Sequence, residues 1–233
     1  VPFADIGPLV LPDTLTSEAA VMLADVFPTG YMAAEMANIQ PGDVVAVFGC
    51  GPVGQFAIRS ALMLGAERVI AIDRFPERLR MAREGGAEVV NYENVEIIEA
   101  LREMTGGRGP DSCIEAVGME AHDMGFEGAV DRVKQAARIE TGRPHALRAA
   151  LVSVRKGGTV ALAGVFGGLV DSIPMGAFVN KALTMRSGQT HVHRYLRPLL
   201  RRIESGEIDP SFVVTHRMSL DDAPKAYDMF KHK

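Results

Sequence analysis

The stretch VVAVFGCGPVGQFAIRSALMLGAERVIAID, residues 44–73, decides the fold of this chain. An apolar run at 44–48 ends in a loop of the form G-x-G-x-x-G. A helical pattern then continues to Gly65, and a second apolar run ends on Asp73. A glycine loop between strand and helix, followed by an acid at the end of the next strand, is typical of a dinucleotide-binding βαβ unit. The pattern therefore predicts a parallel sheet with a nucleotide site at the carboxyl ends of its strands.

Each glycine of the loop has its own predicted task. Gly49 permits the tight turn, and Gly51 lets a pyrophosphate approach the backbone without meeting a Cβ atom. Gly54 lets the helix pack close to the sheet. The N–H groups and the positive dipole end of that helix would face the phosphates, and Asp73 would accept hydrogen bonds from the adenosine ribose.

The acid also bears on the identity of the dinucleotide. A carboxylate at Asp73 would repel a 2′-phosphate, which favours NAD over NADP. Arg74 keeps NADP as an alternative, since an arginine beside the acid can accommodate that phosphate. S-adenosylmethionine is bound by a similar loop and acid, but its enzymes usually end in an antiparallel strand pair, and no such hairpin signature occurs here. A glycine-rich turn that binds no ligand is the remaining interpretation.

Composition narrows the class of protein. The chain has 233 residues, 47% of them hydrophobic, and a net charge of -4, which suits one large domain or one and a half. Scattered Lys and Arg give no case for nucleic acid, and no apolar run is long enough to span a membrane. The cysteines, Cys50 and Cys113, form no disulfide framework and fit a reducing cytoplasm, where we expect the protein.

Strand and helix patterns alternate beyond residue 44, which predicts an α/β fold with a doubly wound parallel sheet of the Rossmann type. Right-handed crossovers give six strands in the order 3-2-1-4-5-6, with helices on both faces. In the tail, two helices are predicted around a strand near Val213. The segment 118–144 is long for a connection; it either forms its own short helix or lies as a loop near the ligand.

The ordered motifs resemble the nucleotide-binding domain of the medium-chain, zinc-dependent alcohol dehydrogenase family. Within it, LADVFPTGY at 23–31, GQT at 188–190 and SLDDAP at 219–224 are similar to the glutathione-independent formaldehyde dehydrogenase branch. The resemblance implies that residues 1–37 link to an upstream catalytic domain missing from this chain. Residues 38–233 would then form the NAD-binding domain.

The resemblance makes Asp25 a candidate zinc ligand, together with a cysteine and a histidine from the upstream domain. Zinc accepts carboxylate oxygen, and an open fourth position would polarise an alcohol or carbonyl oxygen. From sequence alone, an acid in an amphipathic segment is more often a solvated or capping residue. One carboxylate cannot hold zinc, so we expect an incomplete site here. Thr29 is expected to approach the nicotinamide ring and to share the catalytic role.

The resemblance also implies a set of cofactor contacts. Val53, next to Pro52, would lie under the pyrophosphate, and Arg78 would lie beside the adenine or its ribose. His122 would contact the cofactor from the long segment, which looks like a lid. The contacts implied for the nicotinamide half are Val117, Gly118, Ala163, Gly164, Val165, Gly188, Gln189 and Thr190.

The strand that starts at Leu183 and stops at Ser187 is expected at the sheet edge, where the family pairs two subunits into a homodimer or homotetramer. The leading prediction is a domain of a zinc-dependent, NAD-linked dehydrogenase. Such an enzyme transfers a hydride between an alcohol or aldehyde, formaldehyde included, and the nicotinamide. The alternatives are a non-catalytic dinucleotide-binding module and a zinc-independent reductase of the same superfamily, against which Asp25 argues.

Overall fold

The structure is a computed structural model that describes residues 6–118, 141–142, 145–167, 169–170 and 173–231. Its strands are β1 (Val44–Phe48), β2 (Arg68–Asp73), β3 (Glu88–Asn91), β4 (Ser112–Glu115), β5 (Thr141–Gly142), β6 (Thr159–Leu162), β7 (Leu169–Val170) and β8 (Thr184–Ser187). Its helices are α1 (Ser17–Met22), α2 (Val26–Met36), α3 (Pro52–Met63), α4 (Pro76–Glu84), α5 (Ile97–Met104), α6 (His145–Ser153), α7 (Met175–Asn180), α8 (Val192–Glu204) and α9 (Ala223–Lys231). Across these ranges, every helix falls short of the length and apolar character that crossing a bilayer would need.

The main sheet confirms the predicted topology. Six strands lie in the order β3-β2-β1-β4-β6-β8, and each neighbouring pair is parallel. This is the order 3-2-1-4-5-6 once the small separate pair β5–β7 is set aside. The strand order reverses between β1 and β4, and the carboxyl ends of strands at such a point form a crevice.

The central strand β1 explains why both faces of the sheet carry helices. Its five residues are all buried, and its side chains alternate between two cores. Val45 and Val47 belong to the core that includes Ile58 of α3. Phe48 belongs to the opposite core with Leu151 of α6. A strand that is apolar on both faces needs a helix layer on each side, as the doubly wound fold provides.

Helix α2 packs tightly against α3. Phe27 and Phe56 are both fully buried, and their rings stack with centroids 4.8 Å apart. Gly30 permits this approach, because a Cβ atom there would lie 2.6 Å from the Phe56 Cβ atom and 2.7 Å from the Ala57 nitrogen. Burying each phenylalanine contributes about 2 kcal/mol. The division of the chain at residue 37 remains a prediction, although α2 shares a core with α3.

The predicted strand near Val213 is wrong. Pro210–Val213 form a short 3-10 helix, in which the Asp209 side chain accepts a hydrogen bond from the Ser211 nitrogen at 2.9 Å. A proline with no N–H and a fixed φ suits the first turn of a helix better than a strand ladder. The β propensity of the local sequence was therefore overridden by its turn chemistry.

Candidate dinucleotide site

A cavity of about 490 Å³ opens at the carboxyl ends of β1, β2 and β4, where the strand order reverses. Most residues predicted from the sequence to contact the cofactor line it. They are Gly49, Gly51, Pro52, Val53, Asp73, Arg74, Arg78, Val117, Ala163, Gly164 and Val165. The structure thus brings together residues from four separate loops at the place that the topology indicates.

The three glycines of the loop differ in what surrounds them. Gly49 has φ +89°, and a Cβ atom there would lie 2.7 Å from Val117 Cγ2. A Cβ atom on Gly54 would overlap the carbonyl oxygen of Gly49, so Gly54 allows α3 to sit against the loop. Gly51 has φ −67° and no atom within 4 Å of an added Cβ atom. Gly49 and Gly54 are therefore required by the conformation and close packing of the loop, whereas Gly51 leaves open space beside it.

Helix α3 begins at this open space. Gly51 is its N-cap residue and provides no side-chain cap, and Pro52 occupies the first turn. A helix start without a side-chain cap leaves N–H groups and a positive dipole end available to an anion. The open position at Gly51 and the uncapped helix of 12 residues fit a pyrophosphate.

The carboxylate of Asp73 is almost buried, with 5% of the residue exposed. Its Oδ2 atom accepts a hydrogen bond from the Cys50 nitrogen at 2.7 Å. Its Oδ1 atom accepts from the nitrogens of Arg74 and Phe75 at 2.7 and 3.1 Å. A carboxylate offers about four acceptor positions, so roughly one is left for a ribose hydroxyl. The Arg78 Nη1 atom lies 3.7 Å from Oδ2.

Two aromatic residues at the Asp73 end of the cavity were missed by sequence reasoning. Phe75 lies under the guanidinium groups of Arg74 and Arg78, whose carbon atoms are 4.7 and 4.6 Å from the ring centroid. Tyr92 follows β3, and burial raises the pKa of its hydroxyl, so the phenol stays neutral at physiological pH. An aromatic residue two positions after the acid was the signal available in the sequence.

Two buried polar residues were also missed, and both tie loops of the site together. Gln55 donates hydrogen bonds from Nε2 to the carbonyl oxygens of Cys50 and Arg78, at 3.0 and 2.9 Å. It thereby holds the glycine loop against α4. Glu115, the last residue of β4, is completely buried. A charged residue at the end of a buried strand was a visible signal.

The structure also brings together three predicted residues away from this cavity. The Thr29 hydroxyl donates to Asp25 Oδ1 at 2.9 Å, and the hydroxyl oxygens of Thr29 and Thr190 are 2.9 Å apart. Because Thr29 has one hydroxyl proton, Thr190 is the donor in the second bond. Asp25 is exposed at the N-cap of α2 but makes no capping bond with its side chain. Its carboxylate is thus held by the hydroxyl chain instead.

The remaining predicted residues lie apart or outside the described chain. Gly188 and Gln189 line a second cavity of about 300 Å³. There, burial, and then the hydrogen bond to Glu35, raise the pKa of Tyr195 to about 12. Gly118 packs against the backbone of Val165. His122 lies outside the described residues, as does most of segment 118–144.

The chain carries one part of a candidate metal site. Among the described residues, no group of three or more His, Cys, Asp or Glu side chains is arranged to hold a metal ion. Asp25 has an exposed carboxylate, which is a group that can act as a zinc ligand. A single carboxylate of this kind could fill one position of a zinc site.

Comparison with known proteins agrees with this geometry. Residues 52–140 match the zinc-binding dehydrogenase family. A zinc-type alcohol dehydrogenase-like protein of Bacillus subtilis (strain 168) is 37% identical over 100% of this chain and 61% of its own length. A glutathione-independent formaldehyde dehydrogenase of the same organism is 33% identical over 99% of this chain and 58% of its own length.

A solved structure extends the match to three dimensions. The alcohol dehydrogenase TADH from Thermus sp. ATN1 superposes with a TM-score of 0.82 at 35% identity, covering 100% of this chain and 60% of that protein. The chain thus spans about three fifths of the length of these relatives. By fold, motifs and similarity together, the chain belongs to the zinc-type alcohol dehydrogenase family and corresponds to its nucleotide-binding domain.

Proposed function

We propose that this chain is the NAD-binding part of a zinc-dependent oxidoreductase that acts on an alcohol or aldehyde, formaldehyde included. The observation that carries the proposal is the pairing of Asp73 with the open position at Gly51 across one cavity. Together they provide a ribose acceptor and a pyrophosphate approach on neighbouring strand ends. Calorimetric titration with NAD and NADP tests the proposal, and tight binding of neither would refute it.

The surroundings of Asp73 support NAD over NADP. The Arg74 guanidinium lies 4.0 Å from a carboxylate oxygen of Glu93 and over the ring of Phe75. An arginine held in this way is less available to a 2′-phosphate. Asp73 itself would be brought against that phosphate, which is unfavourable for two negative groups.

The chain's own residues would bind and orient the dinucleotide. Bound NAD supplies the hydride acceptor. The adenosine end would lie near Phe75 and Tyr92, and the opposite end near Val117, Ala163 and Gly164, which all line the cavity. Apolar walls at that end exclude water from the reacting carbon, which favours hydride transfer.

For the metal, we propose that Asp25 is a zinc ligand and that Thr29 and Thr190 hold its carboxylate. In the full-length protein, Asp25→Asn is expected to lower zinc affinity by about 100-fold or more, since outer partners of a ligand alone contribute roughly 10–100-fold. Thr29→Val is expected to cost about tenfold. Metal analysis after competition with a chelator measures both. Unchanged zinc affinity in Asp25→Asn would remove Asp25 from the ligand set.

The sheet edge supports the proposed homo-oligomer. Strand β8 pairs only with β6 among the described strands, and all four of its residues are exposed. In the full-length protein, Met185→Glu is expected to shift a dimer or tetramer to a smaller species, because a charge on this edge disfavours strand pairing. Light scattering after size exclusion measures the mass. A wild-type monomer, or an unchanged mass in the variant, would contradict the proposal.

We also propose that the protein acts in the cytoplasm. Cys50 and Cys113 are both buried free thiols, and burial raises the pKa of each. Protonated, buried thiols are inert packing residues. This use of cysteine fits a reducing compartment.

A further inference from the structure

The ends of β4 and β6 meet at one buried carboxyl group, that of Glu115. Glu115 pairs in register with Phe48 of β1 on one side and with Leu162 of β6 on the other. It is completely buried. It therefore lies at the centre of the sheet, where the strand order reverses and the cavity opens.

Glu115 makes hydrogen bonds to both loops that leave this point. Its Oε1 atom accepts from the nitrogens of Val117 and Gly118, at 2.9 and 2.7 Å. Its backbone oxygen accepts from the nitrogens of Ala163 and Gly164, at 2.8 and 3.0 Å. Val117, Ala163 and Gly164 all line the cavity. The side chain of Glu115 thus holds the loop after β4, and its backbone oxygen bonds the loop after β6.

The loops that follow β4 and β6 pack backbone against backbone. A Cβ atom on Gly164 would overlap Glu115 Oε2 and the Gly118 nitrogen. Gly118 has φ +65°, and a Cβ atom there would overlap the backbone of Val165. The space between the loops is therefore filled by the Glu115 carboxyl group and nothing larger than glycine fits beside it.

Burial of the Glu115 carboxyl group is energetically unfavourable. Its Oε2 atom is buried without a hydrogen-bond partner in the described part of the chain. Burial raises the pKa of Glu115, against the opposing influence of the N–H groups of Gly118, Val117 and Gly164. A side chain that served only for packing would be apolar. The carboxyl oxygen of Glu115 therefore indicates a role as a hydrogen-bond acceptor.

We infer that Glu115 is a positioning residue that holds the ends of β4 and β6 at the separation needed by the nicotinamide half of the dinucleotide. The inference rests on the proposed function. It assigns the adenosine half to Asp73 and the glycine loop, whose hydrogen bonds described above do not involve the Glu115 side chain. Loss of the Oε1 acceptor should therefore weaken binding of the nicotinamide ring and spare the rest of the cofactor.

The test compares NADH with ADP-ribose, which lacks only the nicotinamide ring, on variants of the full-length protein. Glu115→Leu removes the acceptor and is expected to lower NADH affinity by about tenfold or more, while ADP-ribose affinity changes by less than about threefold. Glu115→Gln keeps an oxygen at the Oε1 position and is expected to restore NADH affinity to within about twofold. Fluorescence and calorimetric titrations measure both ligands.

Ser112→Ala is the matched control, because Ser112 lies at the opposite end of the same strand and its hydroxyl is likewise buried without a hydrogen-bond partner among the described residues. It should leave both affinities unchanged. Equal losses of NADH and ADP-ribose in Glu115→Leu, or no loss of either, would overturn the inference. If that variant does not fold, Glu115→Asp, which withdraws the acceptor by one methylene, should show the same selective loss. A wild-type protein that binds neither ligand would refute the proposed cofactor site and this inference with it.

Discussion

Gly51→Ala is expected to abolish most dinucleotide binding while leaving the fold intact. The φ angle of Gly51 is −67°, which alanine adopts freely, and an added Cβ atom would have no neighbour within 4 Å. The stability of the protein should therefore change by less than about 1 kcal/mol. The new methyl group would occupy the space through which the pyrophosphate approaches the backbone. We expect the dissociation constant for NADH to rise by about 100-fold.

Gly54→Ala is the matched comparison, since it adds the same methyl group three residues further along, in the first turn of α3. There the Cβ atom would overlap the carbonyl oxygen of Gly49 and lie 2.8 Å from its carbon. Helix α3 must move to relieve this, at a cost of about 1–3 kcal/mol. Gly54→Ala should therefore lose both stability and binding, while Gly51→Ala loses binding alone.

Urea unfolding and calorimetric titration separate the two effects. If a stable Gly51→Ala protein bound NADH as tightly as the wild type does, no phosphate group would approach the backbone at this position. A fall in stability for Gly51→Ala similar to that of Gly54→Ala would show that the space beside Gly51 is not open. Either result would contradict the assignment of the glycine loop.

Asp73→Ala is expected to lower NAD affinity by about 100-fold and NADP affinity by much less, so that the preference for NAD narrows. The carboxylate would be lost as ribose acceptor, and hydrogen bonds to charged groups contribute about 1.5–3 kcal/mol each. NADP carries a phosphate on its 2′-oxygen, so it has no 2′-hydroxyl contact to lose and is relieved of the repulsion between that phosphate and Asp73. Calorimetric titration of both cofactors against both proteins measures the change.

The same substitution should also destabilise the protein. The nitrogens of Cys50, Arg74 and Phe75 lose their acceptor, and the Cys50 bond is buried. An unsatisfied buried N–H group costs about 1–3 kcal/mol. Asp73→Asn is the control, since it keeps one acceptor oxygen and should lose less stability. Equal affinity for NAD and NADP in wild type and Asp73→Ala alike would contradict the role given to Asp73.

The sequence predicted the elements that depend on local pattern. The glycine spacing, the apolar run at 44–48 and the acid at Asp73 indicated β1, α3 and β2, and the alternation of patterns indicated the strand order. The prediction of a strand near Val213 was wrong, because Pro210 and the Asp209 side chain favour a 3-10 turn over a strand ladder. Residues whose role is local were therefore easier to assign than those whose partners are remote.

The sequence alone determined that this chain forms a doubly wound sheet with a glycine loop and an acid on adjacent strand ends, because spacing of three to thirty residues encodes those elements. Only the tertiary structure decided that the Asp73 carboxylate accepts a hydrogen bond from the Cys50 nitrogen, in the glycine loop that follows β1. It also decided that Thr190 meets Thr29 across 161 residues of chain, and that Glu115 joins the ends of β4 and β6. These contacts depend on which strands lie side by side, and neighbouring residues carry no record of that arrangement.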